Sequence, residues 1–391
     1  MIRIAFIVSH PIQYYVPLYR LLAARADVQI RVFFTAHGAE ESTFDHGFQR
    51  KVAWDIPLSD GYEFEVVSNV ARDPGTHHFW GIRTPSLVRR VLEWRPDVVH
   101  VTGYAFASHL IALYSLRRHG IPVLFRGDSH LLDQRRAGWR WQVKRKLLTL
   151  VYQWPTAFLY VGQANRDYYR AFGVNDSQLF HSPHFIEAKR FAEPDQDLEE
   201  EAAQWRHELG IGPERRSILF AGKFEDKKRP VALMEAVRDI PDPRVLLIMV
   251  GDGKLGSDVN RIAASDPGRF RVLPFQNQTR MPVVYRLGDL LVLPSAYGET
   301  WGLAVNEALA CGRPVLISDR VGCGEDVILP GENGDIFPAD DWGAFTSKLM
   351  DMLALDCRSR RGGIRRYGAT YSPERAADEL LNAVHACTIS Q

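Results

Sequence analysis

Short apolar runs alternate along the chain with longer stretches in which apolar residues recur every three or four positions. Stretches of the second kind, such as Pro17–Ala24 and Ala105–Arg118, are typical of amphipathic helices. The short runs predict five strands in the first half: Ile2–Val8, Val28–Phe34, Val98–Val101, Ile121–Phe125 and Ala157–Val161. Strands that alternate with helices predict βαβ units and a parallel sheet.

A second series of the same kind occupies the C-terminal half. Its predicted strands are Ser217–Ala221, Val245–Val250, Arg271–Phe275, Leu290–Pro294 and Pro314–Ser318. Two such series predict an α/β fold with two Rossmann-like domains facing each other across a cleft. We place the first domain at 1–190 and the second at 215–372, with a final helix at 373–391 that is expected to cross back to the first domain.

The alternation breaks between the two series, at Glu187–His207. We interpret 191–214 as a linker or an exposed connecting helix, because it contains a dense acidic run. The pair Asp195 and Asp197 lies inside that run and is interpreted as solvated charge. It is not interpreted as a metal-binding Asp-x-Asp motif, since no apolar strand precedes it.

Composition narrows the class of protein. The chain has 391 residues, of which 46% are hydrophobic and 24% are charged, a balance typical of globular proteins. It contains no apolar run long enough for a membrane-spanning helix.

The first residues resemble a strand more than a secretory signal, so we expect a cytoplasmic protein. Four cysteines without a Cys-x-x-Cys pair argue against a disulfide scaffold and a structural zinc site.

Charge is distributed unevenly. Residues 1–190 carry 24 Lys and Arg against 16 Asp and Glu, a net charge of +8, whereas the rest of the chain carries −7. The stretch Arg135–Lys146 contains six cations, two tryptophans and no acid. Such a helix can lie on an anionic membrane surface or approach an anionic acceptor, and the alternative is an ordinary exposed helix face. No nucleic-acid recognition motif accompanies the cluster, so nucleic acid is not an expected partner.

Two loops of the second domain follow predicted strands and so lie where such folds bind ligands. After the first strand, Gly222 and four cations from Lys223 to Arg229 precede a helix that begins at Pro230. A helix N-terminus beside ammonium groups favours a phosphate, and the alternative is a solvated basic turn. After the second strand, the segment from Gly251 to Gly256 matches the dinucleotide motif Gly-x-Gly-x-x-Gly.

A dinucleotide site is nevertheless disfavoured at Gly251. The motif lies on the second strand of its domain, and the next strand is followed by Gln276 instead of an acid that would bind a ribose. We therefore interpret this segment as a tight loop lining the cleft.

The segment 294–315 carries two acids around a predicted helix from about Gly302 to Cys311. Glu307 lies on an apolar helix, so its carboxylate needs a partner. A ribose diol is one such partner, and a neighbouring Lys or Arg is the alternative. Glu299 precedes the helix by a few residues. The backbone amides of Thr300, Trp301, Gly302 and Leu303 are candidates to bind phosphate or sugar oxygens.

The order of these motifs resembles the C-terminal domain of glycosyltransferase family 4. The matching segments are Gly222-Lys223…Lys228, Val250-Gly-Asp-Gly, Asp289-Leu-Leu-Val-Leu-Pro-Ser, Glu299-x7-Glu307 and Gly331-Glu-Asn-Gly. The resemblance implies a metal-independent, retaining enzyme of the GT-B fold that uses a nucleotide-diphosphate sugar, and we expect a UDP- or GDP-sugar as its donor. It implies no cofactor, and an acceptor that is a glycan or a lipid-linked sugar.

The resemblance also implies roles for individual residues. Lys223 and Lys228 would neutralise the diphosphate, Glu307 would bind the ribose, and Glu299 would hold the donor sugar. Lys223 stands where the family usually has Arg, which keeps the charge and loses the bidentate fork. Arg229 replaces a usual Gly, and Thr300-Trp301 replaces a usual Gly-Phe.

The N-terminal half resembles the family less. The first strand is followed by Ser9-His10-Pro11 where relatives often have a Gly-Gly loop, and His10 is a candidate donor contact. Arg126, Asp128 and His130 follow another strand, and each is a candidate for the residue that faces the transferring sugar. The adjacent pair His77-His78 has no third ligand at a spacing typical of metal sites and is interpreted as loop.

Three other classes of function remain as alternatives. A sugar-nucleotide epimerase of the same architecture would need no acceptor. A binding module would hold the nucleotide sugar without turnover. A dinucleotide oxidoreductase is disfavoured by the residues around Gly251.

Overall fold

The computed structural model describes residues 1–38, 43–45, 47–133, 138–193, 195–355 and 357–389. The chain divides into two compact units. Unit 1 comprises Met1–Glu41, Pro57–His184 and Pro373–Gln391, and unit 2 comprises Ser42–Ile56 and Phe185–Ser372.

Strands and helices alternate through most of the chain. The strands are β1 Ile2–Val8, β2 Val28–Phe34, β3 Thr43–Asp45, β4 Arg50–Val52, β5 Phe64–Val66, β6 Val98–Thr102, β7 Val123–Arg126, β8 Ala157–Tyr160, β9 Leu179–His181, β10 Arg216–Ala221, β11 Val245–Val250, β12 Phe270–Leu273, β13 Leu290–Leu293, β14 Val315–Ser318 and β15 Gly334–Phe337. The helices are α1 Val16–Ala23, α2 Leu87–Trp94, α3 Ala107–Arg118, α4 Trp139–Val151, α5 Gln163–Ala171, α6 Ala188–Ala192, α7 Asp195–Glu208, α8 Pro230–Arg238, α9 Gly256–Ser265, α10 Met281–Leu287, α11 Leu303–Ala310, α12 Gly324–Val327, α13 Trp342–Ala354, α14 Cys357–Gly368 and α15 Pro373–Ile389.

Each unit is built on a parallel sheet. Unit 1 has the strand order β5-β2-β1-β6-β7-β8-β9, and unit 2 has the order β12-β11-β10-β13-β14-β15. The central strands are almost entirely buried; all six residues of β11, for example, are buried. Apolar runs without alternation fit this position, because helices cover both faces of a parallel sheet.

The predicted strands agree with the structure where the apolar run is long. The bounds of β1, β2 and β11 are those predicted, and the strand expected at Ile121–Phe125 lies at Val123–Arg126. The short strands β5 and β9, at the two edges of the unit 1 sheet, were not predicted, because three residues carry too little pattern.

The acidic run is a helix, α7, and the interpretation of its charge as solvated was wrong for Asp195. Contacts place α7 within unit 2. Asp195 accepts a hydrogen bond of 2.9 Å from Arg286, whose side chain is fully buried. Glu199 approaches the same guanidinium and also Arg313, at 3.5 and 2.7 Å. These carboxylates therefore neutralise two buried cations, which would otherwise destabilise the interior.

Residues 42–56 also belong to unit 2, although they precede β5 of unit 1 in sequence. The ring of Phe48 packs edge-on against Phe275 with centroids 4.7 Å apart. The backbone amide of Thr279 donates to the carboxylate of Asp55 at 3.2 Å. These contacts explain why a segment expected in the first domain groups with the second.

The final helix α15 groups with unit 1, where it packs against α1 and β9. The thiols of Cys311, Cys323 and Cys387 are free and buried. Among the described residues, no helix combines the length and the hydropathy needed to cross a membrane.

Candidate active site

The carboxyl ends of β10, β11, β12 and β13 lie at one edge of the unit 2 sheet, because these strands are parallel. The loops that follow β10 and β11 touch through their glycines. A Cβ on Gly251 would lie 1.9 Å from the carbonyl oxygen of Gly222, so only glycine permits this approach. Gly222 and Gly251 thus allow the two loops to pack directly against each other at this edge.

Both predicted phosphate-binding lysines lie in the loop after β10. A short 3-10 turn, Asp226–Lys228, leads into α8, which begins at Pro230 as predicted. The ammonium of Lys223 lies 4.9 Å from the centre of the Phe48 ring. Arg229 has a left-handed backbone (φ +52°), and its guanidinium pairs with Asp340 at 2.7 Å. Arg229 therefore closes the turn, and its side chain is engaged away from Lys223.

Glu299 joins the loop after β13 to the loop after β10. Its carboxylate forms an ion pair with the ammonium of Lys228 and accepts a hydrogen bond of 3.0 Å from Ser295 Oγ. The amide of Ala296 donates to the Lys227 carbonyl at 2.7 Å, which fixes the two loops side by side. Two residues that lie 71 positions apart in sequence are thereby brought together at one edge.

The turn from Glu299 to α11 positions the start of the helix. Gly302 has φ +97°, a conformation that favours glycine. The side chain of Trp301 is buried, and its Nε1 donates to Asn306 Oδ1 at 2.8 Å. A bound donor sugar could therefore contact Trp301 only at its backbone. The first amides of α11, beginning at Leu303, have no acceptor within the helix, as is usual for a helix start.

Glu307 is 3% exposed and lies on α11 as predicted. The partner expected in the absence of ligand was a Lys or Arg. The structure shows a different one, because the hydroxyl of Tyr285 donates to Glu307 Oε2 at 2.5 Å. The hydroxyl is a neutral hydrogen-bond donor, and this bond fixes the orientation of the carboxylate on α11.

In unit 1, the buried side chain of Arg126 links the carboxyl ends of β7 and β9. Its guanidinium donates to the carbonyl and the hydroxyl of Ser182 at 3.0 and 2.8 Å. It also lies 5.4 Å from the centre of the Tyr15 ring. Only 2% of Arg126 is exposed, which favours a supporting role over direct contact with a sugar.

Asp128 lies between a histidine and an arginine. Its carboxylate is 3.2 Å from Nε2 of His184 and 3.7 Å from Nε of Arg126. Burial by itself would raise the pKa of Asp128, but His184 and Arg126 together hold it well below its usual range. Asp128 is therefore ionised throughout the physiological range.

The other two histidine candidates of unit 1 are placed differently. His10 stacks on His37 with ring centroids 5.1 Å apart, and burial together with His37 lowers the pKa of His10 to about 4. Its imidazole is thus neutral at pH 7. His130 is buried, and its Nδ1 accepts from the Leu132 amide at 3.2 Å. Nε2 of His130 lies 3.9 Å from Asp133.

The pair His77-His78 does have a third neighbouring ligand group, contrary to expectation. The Asp73 carboxylate lies 3.2 Å from Nε2 of His77 and 3.3 Å from Nε2 of His78. These atoms are close enough to share a metal ion. All three side chains are at least one-third exposed, and both histidines form hydrogen bonds with Asp73. These hydrogen bonds account for the proximity of the three groups without a metal ion.

Comparison with known proteins identifies the family. A model of the 4-like glycosyl transferase domain matches residues 12–181, and a model described as glycosyl transferases group 1 matches residues 201–369. The chain belongs to the group 1 glycosyltransferases. The predicted resemblance to glycosyltransferase family 4 is confirmed.

Curated relatives of the chain align with it over part of their length. The D-inositol 3-phosphate glycosyltransferase of Mycolicibacterium vanbaalenii is 30% identical over 190 residues, which is 45% of this chain and 42% of the relative. The enzyme of the same name from Rhodococcus jostii is 30% identical over 204 residues, or 47% of this chain and 43% of the relative. The chain thus matches less than half the length of these relatives.

Solved structures share the fold over nearly the whole chain. HepE from Anabaena in complex with UDP has a TM-score of 0.73 at 15% identity and covers 99% of this chain and 100% of its own. Sucrose-phosphate synthase from Thermosynechococcus elongatus has a TM-score of 0.73 at 18% identity, with full coverage of both chains. These likenesses confirm the predicted α/β class and the GT-B fold.

Several residues at the two sheet edges are not indicated by the sequence pattern. Phe48, Tyr285, His37 and His184 each lie beside a predicted residue. His184 follows β9, and because that strand was missed, nothing in the sequence placed this histidine at a carboxyl edge. Basic residues Arg135 and Arg136 of the predicted membrane-binding stretch lie outside the described residues.

Proposed function

We propose that the protein transfers a sugar from a nucleotide-diphosphate donor to a hydroxyl of a glycan or lipid-linked acceptor, with retention at the anomeric carbon. The observation that carries this proposal is the unit 2 edge, where Lys228 at the entry to α8 pairs with Glu299 from another loop. Cations at a helix start favour a diphosphate, and a carboxylate beside them suits a donor sugar.

The proposed chemistry assigns each of these groups a task. The bond from the anomeric carbon to the diphosphate oxygen breaks, and a bond to the acceptor oxygen forms on the same face. The acceptor proton passes to the leaving phosphate. Lys223, Lys228 and the start of α8 stabilise the negative charge on that phosphate, while Glu299 lies near the anomeric carbon, where positive charge develops.

A uridine nucleotide is the donor we test first. HepE, which shares this fold, has been solved with UDP and with UDP-glucose. In this chain, Glu307 would accept hydrogen bonds from the two ribose hydroxyls, since a carboxylate can accept from a vicinal diol with both oxygens. Tyr285 would keep the carboxylate in place from the opposite side.

Replacing Glu307 by Gln is expected to weaken UDP binding about 10- to 100-fold, because two hydrogen bonds to a charged acceptor are lost or weakened. Calorimetry with UDP measures the affinity, and thermal unfolding measures stability. Glu235→Gln is the matched control, since it makes the same change at an exposed glutamate of α8 that has no proposed role. If Glu307→Gln binds UDP as tightly as the wild type, the ribose assignment fails.

Turnover separates the proposal from its alternatives. The purified protein is screened for stabilisation by UDP, GDP, ADP and dTDP, with NAD as control, and then incubated with the stabilising donor sugar. An epimerase would convert the donor without an acceptor, and a binding module would leave it unchanged. A transferase consumes the donor faster when an acceptor is added. We expect EDTA to leave that rate unchanged, because the proposed reaction needs no metal.

We further propose that unit 1 docks on an anionic membrane surface through α4. One face of α4 packs on the core, where Trp141 meets Phe172 with ring centroids 5.4 Å apart. On the opposite face, Trp139, Leu147 and Leu150 are 72, 59 and 53% exposed, and Val143 lies in the same stripe. Exposed apolar residues at spacings of three and four form a continuous apolar stripe along the helix.

The charged residues beside this apolar stripe indicate what kind of surface it binds. Arg140, Arg145 and Lys146 are exposed beside it, and α4 contains no acid. Lys144 is half-buried over the ring of Tyr168, at 5.7 Å from its centre. Apolar side chains flanked by cations suit the interface of a bilayer that contains anionic lipid, which is where a lipid-linked acceptor would be presented.

Reversing one charge on this face is expected to weaken vesicle binding. Arg145→Glu should lower the partition coefficient onto phosphatidylglycerol vesicles about 30-fold at low salt, measured by co-sedimentation. The change removes one surface cation worth about 1 kcal/mol and adds a repulsive charge of about the same size. Arg261→Glu changes the net charge equally on an exposed residue of unit 2 and is the control. Equal loss in both variants, or no binding by the wild type, would contradict docking through α4.

A further inference from the structure

Residues 47–56 lie along the carboxyl edge of the unit 2 sheet. Phe48 contacts Lys223 in the loop after β10 and Phe275 in the loop after β12. Further along, the Ala53 carbonyl accepts from Asn277 Nδ2 at 2.7 Å, and Asp55 accepts from Thr279. The segment is therefore fixed at both ends to loops at the edge that carries the candidate donor site.

The first end of this segment is packed tightly against the candidate phosphate-binding loops. A Cβ on Gly47 would lie 2.4 Å from the Lys223 side chain. A Cβ on Gly253 would lie 2.9 Å from the Gly47 carbonyl oxygen. Since both neighbours of Gly47 belong to loops that follow β10 and β11, the segment borders the site instead of merely passing near it.

The contact of Phe48 with Lys223 is an electrostatic attraction between a cation and an aromatic ring. The ammonium lies 4.9 Å from the ring centre, within the range of a cation–π interaction. The ring itself is fixed edge-on against Phe275, whose face also carries the Arg50 guanidinium at 5.1 Å. A flexible lysine is thereby held by a ring that cannot easily turn away.

We propose that Phe48 is a positioning residue that holds the Lys223 ammonium toward the donor diphosphate, so that residues 47–56 form one wall of the donor site. This inference rests on the proposed function, because it assigns the diphosphate to Lys223. It also explains how a lysine can serve at this position: an Arg would be oriented by its planar fork, whereas a lysine has a long stem with free rotation and needs an external constraint.

Substitution of the ring tests the proposal. Phe48→Leu keeps an apolar side chain against Phe275 and removes the π face, and it should weaken UDP binding about 5-fold. Phe48→Tyr keeps the ring and should bind UDP as the wild type does. Phe64→Leu is the matched control, since it makes the same change at an exposed phenylalanine of unit 1.

A double-mutant cycle shows whether Phe48 acts through Lys223. In a Lys223→Ala background, Phe48→Leu should change UDP affinity less than about 1.5-fold, because the group that the ring positions is absent. An equal loss in both backgrounds would overturn the proposal, as would wild-type affinity in Phe48→Leu or failure of Phe48→Tyr to restore it.

A measurement without nucleotide separates this proposal from the proposed function. Acetic anhydride labels accessible lysine amines, and mass spectrometry of the peptides reports the rate at each lysine. Phe48→Leu should raise the labelling rate of Lys223 and leave that of Lys189 unchanged. If the wild type binds no nucleotide, the proposed function fails, whereas an unchanged rate at Lys223 overturns the positioning by Phe48 itself.

Discussion

Replacing Glu299 by Gln is expected to lower kcat about 10²- to 10³-fold, the loss typical of removing one electrostatic contact to a transition state. Gln has the shape of Glu without the charge, so the hydrogen bond from Ser295 can be kept. The positive charge that develops at the anomeric carbon would then lack its nearest carboxylate. Donor affinity should change by less than about 3-fold, since the charge develops only during the reaction.

Steady-state kinetics with saturating donor, and calorimetry with UDP, measure the two quantities. Glu225→Gln is the matched control, because Glu225 pairs with Lys227 at 3.2 Å in the same loop and has no proposed role in the reaction. A Glu299→Gln variant with nearly normal kcat would show that Glu299 only holds Lys228. Equal losses in both variants would show a general effect of charge at this edge.

Replacing Asp128 by Asn is expected to destabilise the fold by about 3 kcal/mol at pH 7, because it leaves the buried Arg126 without its nearest carboxylate. Denaturant unfolding measures this difference. Asp378→Asn is the control, since Asp378 is exposed on unit 1 and its ion pair with Arg25 is long, at 3.7 Å. A surface pair of that kind contributes about 0 to 1 kcal/mol.

The effect of Asp128→Asn should depend on pH in a defined direction. Burial alone would raise the pKa of Asp128, but His184 and Arg126 lower it well below its usual range. A carboxylate whose pKa is lowered by folding stabilises the protein above the pKa of the unfolded chain, and this stabilisation is lost as the pH falls further. The difference between wild type and variant should therefore be full at pH 7 and shrink below about pH 4. A difference that grows toward low pH would contradict this assignment.

The donor edge of unit 2 was largely predictable, because its residues follow strands with long apolar runs. Lys228 and Glu299 lie in the loops that the sequence pattern predicts for them, and Glu307 lies on the predicted helix. Their partners could not be predicted in the same way. The Tyr285 hydroxyl and the Phe48 ring reach the site residues from distant parts of the chain, and no local pattern encodes such a pairing.

At the carboxyl edge of the unit 1 sheet, the sequence predicted less about the roles of individual residues. Arg126, Asp128 and His130 follow one strand, so the sequence offered three equivalent candidates. The structure distinguishes them by their burial and their partners. Arg126 is buried and donates to Ser182, whereas Asp128 pairs with His184. His130 accepts a hydrogen bond from its own loop. The deciding partner, His184, follows a strand of three residues that the sequence analysis missed.

Local sequence pattern was enough to establish the α/β class, the two parallel sheets and the loops that carry lysines and carboxylates at the unit 2 edge. These features depend on periodicity and on short spacings, which act over a few residues. Tertiary packing was needed to establish that residues 42–56 join unit 2, that Asp195 neutralises Arg286 and that Glu307 is held by a tyrosine. Such pairings follow from how helices and loops pack on the sheets, because packing brings together groups whose distance along the chain carries no information about their contact.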